Sequence, residues 1–147
     1  MNVRNKKTLS RGFTLLEVMV VIVILGILAS MVVPNLMGSQ ERANMQKAVS
    51  DIRALETSLS MYKMDNYDYP TTEQGLEALV TETDIDPAPR RFPEGGYVQR
   101  LPNDPWGNEY QLLNPGENGK MDVFSMGPDG EAGTDDDIGN WNLEDFQ

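Results

Sequence analysis

Apolar residues follow two different patterns along the first half of the chain. Residues 13–33 are almost uniformly apolar, and Glu17 is the only formally charged residue among them. At about 1.5 Å per residue this run makes a helix of roughly 32 Å, long enough to span a bilayer. Beyond it, apolar positions recur every three or four residues, at Met45, Ala48, Ile52, Leu55, Leu59 and Tyr62. That spacing predicts an amphipathic helix packed on a sheet, so both segments together predict one long stem.

The second half of the chain predicts a small domain of mixed structure. Thr71 and Gln74 fit a capping box at the start of a short helix. Prolines and paired glycines over residues 84–105 predict an irregular loop, and we expect it to be ordered because Tyr97, Leu101 and Trp106 can anchor it. Residues 109–113 and 121–125 predict two paired strands, because a strong turn signal separates them. The fold class expected from this order is α+β.

The charge of the chain is strongly asymmetric. All four basic residues of the first twelve positions, Arg4, Lys6, Lys7 and Arg11, precede Gly12. Without that segment the chain keeps eight basic against 23 acidic residues, a formal charge of −15. Such a surface repels phosphate backbones, so direct binding of nucleic acid is not expected. Histidine and cysteine are both absent from the sequence, which removes disulfides and the commonest general base, so we do not expect an enzyme.

The junction between the basic segment and the apolar segment lies at Gly12 and Phe13. An ordinary secretory signal has an apolar core of about 7–15 residues with a cleavage site after it, and this run is longer. The pattern Arg-Gly-Phe-Thr-Leu-Leu-Glu at residues 11–17 resembles the class III leader of type IV pilins and type II secretion pseudopilins. The resemblance implies that a prepilin peptidase cleaves between Gly12 and Phe13, and that the new amine of Phe13 is methylated.

Glu17 is an ionisable residue in a segment expected to lie in lipid. A carboxylate there costs on the order of 2–3 kcal/mol near the centre of a span and is a functional candidate by default. The alternative is a plain membrane anchor whose carboxylate reaches the lipid headgroups. The family resemblance implies that Glu17 pairs with the terminal amine of a neighbouring subunit during assembly. A position in the first helical turns favours the charged carboxylate through the helix dipole.

Further motifs narrow the resemblance to the major pseudopilin family of the type II secretion system. The residues that carry it are Tyr69-Pro70-Thr71, Gly75-Leu76-Glu77-Ala78-Leu79, Pro102-Asn103-Asp104-Pro105-Trp106-Gly107, Gly127-Pro128-Asp129-Gly130 and Asp136-Asp137-Ile138-Gly139-Asn140-Trp141. The resemblance implies a pilin-like fold, in which a long N-terminal transmembrane and stem helix packs on a small antiparallel β-sheet. It also implies a non-enzymatic subunit that polymerises into a periplasmic pseudopilus and helps to drive folded proteins through an outer-membrane channel.

The resemblance also implies a division of the chain and a set of partners. Residues 1–12 form the cleaved leader, residues 13–35 the transmembrane and assembly segment, and residues 36–147 the periplasmic stem and domain. The expected partners are further copies of the chain, minor pseudopilins, the prepilin peptidase, the secretion platform of the inner membrane and membrane lipid. The basic leader stays in the cytoplasm by the positive-inside rule, which places the C-terminal domain in the periplasm.

The last 26 residues contain eight acidic residues and no Lys or Arg. Such a run is usually a solvated acidic surface. Against that interpretation stand Ile138, Trp141, Leu143 and Phe146, because they give more apolar surface than a disordered tail has. A hard cation with oxygen ligands would hold the carboxylates together.

The family resemblance implies that Asp129, Asp136 and Asp137 bind Ca²⁺. Backbone carbonyls of Met126 and Thr134 are expected to complete the shell, and a role for Asp135 stays open.

Two other functions remain possible at this point. A type IV pilin for adhesion or motility would share the leader, although such pilins typically close their C-terminal region with a disulfide and this chain has no cysteine. A membrane-anchored enzyme with paired carboxylates is the other alternative. The sequence contains neither a nucleophile motif nor a phosphate-binding loop, so we expect a structural protein.

Overall fold

The computed structural model describes residues 13–146, without the side chains of residues 31–37. Helix α1 runs over Leu15–Asn66 as the sequence pattern predicts. Three short strands follow, β1 at Gln111–Leu113, β2 at Asp122–Ser125 and β3 at Ile138–Gly139. Two 3-10 helices occupy Leu76–Leu79 and Leu143–Phe146.

The chain divides into two compact units between Gln40 and Glu41. The first unit holds the apolar part of α1, and the second holds the rest of α1 with the sheet. Within residues 13–146, no helix meets the length and apolar character required of a membrane span.

The core of the second unit forms on one face of α1. Ala48, Ile52 and Leu59 are fully buried, and Leu55 and Tyr62 are almost so. The predicted stripe is therefore confirmed, since its spacing of three and four residues keeps these side chains on one face. Each large apolar side chain that is fully buried contributes about 1.5–3 kcal/mol to folding, so this stripe is a main source of stability.

A three-stranded antiparallel sheet packs on that face in the order β1-β2-β3. Leu112 pairs with Val123 across β1 and β2, and Ser125 pairs with Ile138 across β2 and β3. The first pairing confirms the predicted hairpin, with strands shorter than the pattern indicates. Strand β3 lies in the acidic run, where the sequence does not predict a strand.

The predicted capping box forms, but the helix after it is shorter than predicted. Thr71 N–H donates to Gln74 Oε1 at 2.9 Å, and Gln74 N–H donates to Thr71 Oγ1 at 3.2 Å. Gly75 then takes a positive φ of 60°, a conformation that interrupts a regular helix. Only the 3-10 turn Leu76–Leu79 follows.

The proline-rich loop of residues 84–105 is ordered, as predicted, and it is held at both ends. The Gln74 side chain is buried, and its Nε2 donates to the carbonyls of Ile85 and Pro87 at 2.6 and 2.9 Å. At the other end the loop packs partly buried apolar side chains against the core, and these include Tyr97 and Leu101.

A polar contact joins the stem to the sheet beside this core. Asp51 Oδ2 accepts hydrogen bonds from Lys47 Nζ at 2.6 Å and from the Tyr110 hydroxyl at 2.9 Å. Burial, reinforced by the hydrogen bond to Asp51, raises the pKa of Tyr110 above its usual value. The tyrosine therefore stays protonated and remains a donor across the neutral and mildly alkaline range.

Candidate functional site

The first candidate site is the start of α1. Thr14 caps the helix, because its Oγ1 accepts a hydrogen bond from Glu17 N–H at 3.2 Å and its carbonyl accepts from Val18 N–H at 3.3 Å. Glu17 thus lies in the first turn, near the positive end of the helix dipole. No basic side chain within residues 13–146 forms an ion pair with it. Phe13 is exposed, and Gly12 lies outside the described residues.

The second candidate site is the loop of residues 126–137, which connects β2 to β3. Gly127 closes the base of this loop with a positive φ of 63°. A Cβ at Gly127 would collide with the backbone carbonyl of Asp136, so the two ends of the loop approach closely only because residue 127 is glycine. This close approach brings residues from both ends of the loop together.

Asp129 and Asp136 are linked directly in the loop. The N–H of Asp129 donates to Asp136 Oδ2 at 3.2 Å, and Thr134 Oγ1 donates to Asp136 Oδ1 at 2.6 Å. The hydrogen bond from Thr134, followed by the one from the Asp129 backbone, lowers the pKa of Asp136. The carboxylate is therefore fully ionised at neutral pH, the state in which it binds a cation.

Asp137 is the most deeply buried of the three predicted ligands, with 7% of its surface exposed. Its Oδ2 accepts a hydrogen bond from Gly133 N–H at 2.7 Å, but its Oδ1 is buried without a hydrogen-bond partner. A buried carboxylate oxygen left unpaired is costly, and a cation would satisfy it.

The oxygen donors of this loop are of the chemical type that binds calcium, since aspartate, hydroxyl and carbonyl oxygens are the ligands of hard cations. In the part of the chain that the structure describes, no three acidic side chains converge closely enough to hold a metal. The predicted ligands share one loop, and Asp129 and Asp136 touch, but the three carboxylates do not form a closed cage. Calcium binding stays a prediction.

Two residues for which the sequence predicts no role, Asp104 and Asn142, support this loop from outside. Asp104 is 4% exposed, and its Oδ2 accepts from Ser125 Oγ at 2.6 Å. Ser125 Oγ in turn accepts from Gly127 N–H at 3.1 Å, so Asp104 positions the start of the loop. Asn142 holds the other end, donating to the Asp137 carbonyl at 2.9 Å and accepting from Gly139 N–H at 2.8 Å.

Replacing Asp104 with alanine is expected to destabilise the domain by about 3 kcal/mol. The change leaves Ser125 Oγ and the N–H groups of Trp106 and Asn108 without their buried acceptor. Urea unfolding followed by circular dichroism measures the loss. Asp68→Ala, at an exposed position, is the matched control, and equal stability of the two variants would contradict this role.

Comparison with known proteins gives consistent matches over nearly the whole chain. Residues 7–33 match the prokaryotic N-terminal methylation motif, and residues 35–141 match the family model of type II secretion system (T2SS), protein G. The chain is 70% identical over 142 residues to the type II secretion system core protein G of Aeromonas hydrophila, covering 97% of this chain and 99% of the relative. The corresponding protein of Vibrio cholerae is 66% identical over 139 residues, covering 92% and 94%.

A solved structure matches as well. It is the crystal structure of the major pseudopilin from the type 2 secretion system of enterohaemorrhagic Escherichia coli, with a TM-score of 0.71 and 57% identity. The match covers 75% of this chain and 92% of that chain.

A methylation motif followed by a long helix and a small antiparallel sheet defines a protein of the pilin-like class. The predicted α+β pilin-like fold is thereby confirmed. The family model covers more than half of the chain, and the relatives match almost end to end. The chain belongs to the type II secretion system protein G family. The prediction of a major pseudopilin is therefore confirmed, and it takes precedence over the type IV pilin.

Proposed function

We propose that this pseudopilin is inserted in the inner membrane, is cleaved after Gly12 and polymerises into a periplasmic pseudopilus that drives folded proteins through the outer membrane. The observation that carries the proposal is the exposed apolar surface of α1. From Phe13 to Leu28 its large apolar side chains are between 49% and 82% exposed. So much unpartnered apolar surface has to be covered by lipid or by neighbouring subunits.

The leader and the assembly residues act in sequence in this proposal. The basic residues before Gly12 hold the N-terminus in the cytoplasm, where the prepilin peptidase removes the leader. The new amine of Phe13, once methylated, carries a positive charge close to the first helical turn. In the filament it pairs with Glu17 of a neighbouring subunit, which sets the register between adjacent helices. Minor pseudopilins and the inner-membrane platform are the further partners of assembly.

Calcium has a structural role in the same proposal. Asp129, Asp136 and Asp137 would hold the ion with backbone carbonyls of Met126 and Thr134, and the unpaired Oδ1 of Asp137 supports this assignment. The bound ion would supply charge neutralisation between β2 and β3. No step of polymerisation is assigned to it.

Secretion by a strain that lacks its own pseudopilin tests the function. The wild-type chain is expected to restore release of exoproteins, and the mature protein is expected to begin at Phe13 with one added methyl group by intact-mass analysis. Gly12→Leu should remain at precursor mass in the membrane, because a bulky residue blocks the peptidase, and should leave exoproteins in the periplasm.

The control for this experiment is Gly38→Leu, the same substitution at a glycine of α1 that lies in open space, which should still be cleaved at Phe13. Restored secretion by uncleaved Gly12→Leu, or a mature chain beginning elsewhere than Phe13, would contradict the proposal.

A further inference from the structure

A cavity of about 550 Å³ opens on the face of the sheet that turns away from the core. Asp122 and Phe124 line it, and they alternate along β2 with Val123, which is buried in the core. Four acidic residues contribute to the lining, and no basic residue does; the acidic residues are Glu117, Asp122, Asp135 and Asp137. We refer to this feature as the acidic cavity.

Asp122 gives the acidic cavity a negative charge that its own subunit does not neutralise. The residue is 1% exposed, and its Oδ2 accepts hydrogen bonds from the backbone N–H groups of Glu117 at 2.7 Å and Asn118 at 2.8 Å. Its Oδ1, by contrast, is buried without a hydrogen-bond partner. No salt bridge of the described residues involves Asp122.

The wall of the acidic cavity is aromatic. Trp141 is 39% exposed and pairs with Phe124, with 5.7 Å between the ring centroids. An exposed indole beside carboxylates suits a guanidinium group, because arginine stacks on aromatic faces and also pairs with carboxylates. The ligand chemistry that the cavity fits is therefore an arginine side chain of a partner.

The stem helix of the same chain carries such a side chain on its outward face. Arg42, Gln46, Arg53, Thr57, Ser60 and Met64 are all exposed and share one side of α1 at helical spacing. No acidic residue belongs to this stripe. Arg53 has no ion pair, hydrogen bond or ring contact from its guanidinium within residues 13–146.

Arg53 is better placed than Arg42 to meet a neighbour. Gln46 Nε2 donates to the Phe146 carbonyl at 2.7 Å, so the start of the stripe lies beside the acidic C-terminal turn of its own subunit. Arg53 lies seven residues further on, about 10 Å along the helix. Its charge is therefore available to another molecule.

We propose that Arg53 of one subunit docks into the acidic cavity of a second copy of this chain, between Glu117 and Trp141. This inference rests on the proposed polymerisation, and it identifies the two surfaces through which neighbouring subunits contact each other. Subunits with a formal charge of −15 repel one another, so a stable homopolymer needs opposite charges at its contacts. The outward stripe and the acidic cavity provide that complementarity.

Charge reversal in the full-length chain tests the contact. Arg53→Glu is expected to reduce pseudopilus yield, measured by cross-linking of neighbouring subunits and immunoblotting, at least tenfold. The matched control is Arg90→Glu, which makes the same charge change at an exposed position of the proline-rich loop, outside the stripe, and should assemble normally. Arg53→Glu combined with Glu117→Arg should recover most of the yield, because the pair is restored with opposite polarity.

The absence of native cysteines permits a direct second measurement. Arg53→Cys with Glu117→Cys should give disulfide-linked multimers in assembled pseudopili, whereas either variant alone should not. Multimers from Arg53→Cys alone would mean that the stem helices of two subunits contact each other at this position, which would overturn the proposed docking. Normal assembly of Arg53→Glu would overturn it as well. Resistance of each variant to protease confirms that it is folded. If the wild-type chain itself forms no pseudopili, the proposed function fails as well.

Discussion

Chelating calcium is expected to lower the melting temperature of the folded domain by roughly 10–20 °C. A ligand that binds only the native state stabilises it by RT ln(1 + [L]/Kd), about 2.7 kcal/mol at a hundredfold excess over Kd. A domain of about 100 residues shifts by about 4–8 °C for each kcal/mol. The domain has no disulfide to compensate, so this contribution is a large part of its total stability.

Variants of the loop separate calcium binding from ordinary loop packing. Asp129→Asn and Asp136→Asn keep the shape of the side chain but remove its charge and replace one acceptor oxygen with an NH2 donor, and they should abolish the difference between calcium and chelator. Glu131→Ala is the matched control, because this acidic residue is exposed in the same loop but is not a predicted ligand. Differential scanning calorimetry of the second unit, Glu41–Gln147, with metal analysis of the same samples, makes the measurement. Identical melting of the wild type in excess calcium and in excess chelator would refute the assignment.

Glu17→Leu is expected to abolish pseudopilus formation while leaving the subunit in the membrane. Removal of a charge from an apolar segment makes insertion slightly more favourable. Assembly should nevertheless fail, because the amine of the neighbouring Phe13 would be left without a counter-ion in a medium of low dielectric constant. Membrane fractionation measures insertion, and cross-linking between neighbouring subunits in isolated membranes measures assembly.

Two controls define what Glu17 contributes. Glu17→Asp keeps the charge and should retain part of the assembly, while Val21→Leu, one turn further along the exposed apolar surface, should assemble normally. If Glu17→Leu forms as many pseudopili as the wild type, Glu17 has no role in assembly and is only part of a membrane anchor.

The helix and its buried face are predictable from the sequence because their signal is local. Met45 to Tyr62 repeat at helical spacing, and all but Met45 of the predicted stripe are buried in the structure. The contact of Thr71 with Gln74 is equally local, spanning three residues, and both of its hydrogen bonds form. The helix expected after that contact fails because Gly75 leaves the helical region of φ, which the apolar spacing does not reveal.

The missed features depend on contacts between residues distant in sequence. Strand β3 has two residues, Ile138 and Gly139, too few for alternation to be recognised, and it exists because β2 provides an edge to pair with. Asp104 reaches Ser125 across 21 positions, so no sequence periodicity predicts its support of the loop of residues 126–137. The only indication of its importance in the sequence is that Asp104 belongs to one of the motifs that resemble the pseudopilin family, residues 102–107. The predicted ligands Asp129 and Asp136 do meet, because Gly127 lets the two ends of their loop approach.

The packing of Trp141 makes the acidic cavity observable without any label. Its indole ring lies so close to Gly139 that a Cβ there would collide with it, and its other neighbour is Phe124. The chain has two tryptophans, and the second, Trp106, packs partly buried against the core. In a Trp106→Phe background the intrinsic fluorescence of the protein comes from Trp141 alone. Its emission maximum and quenching by iodide then report, in real time, when a cation or a neighbouring subunit closes over the cavity.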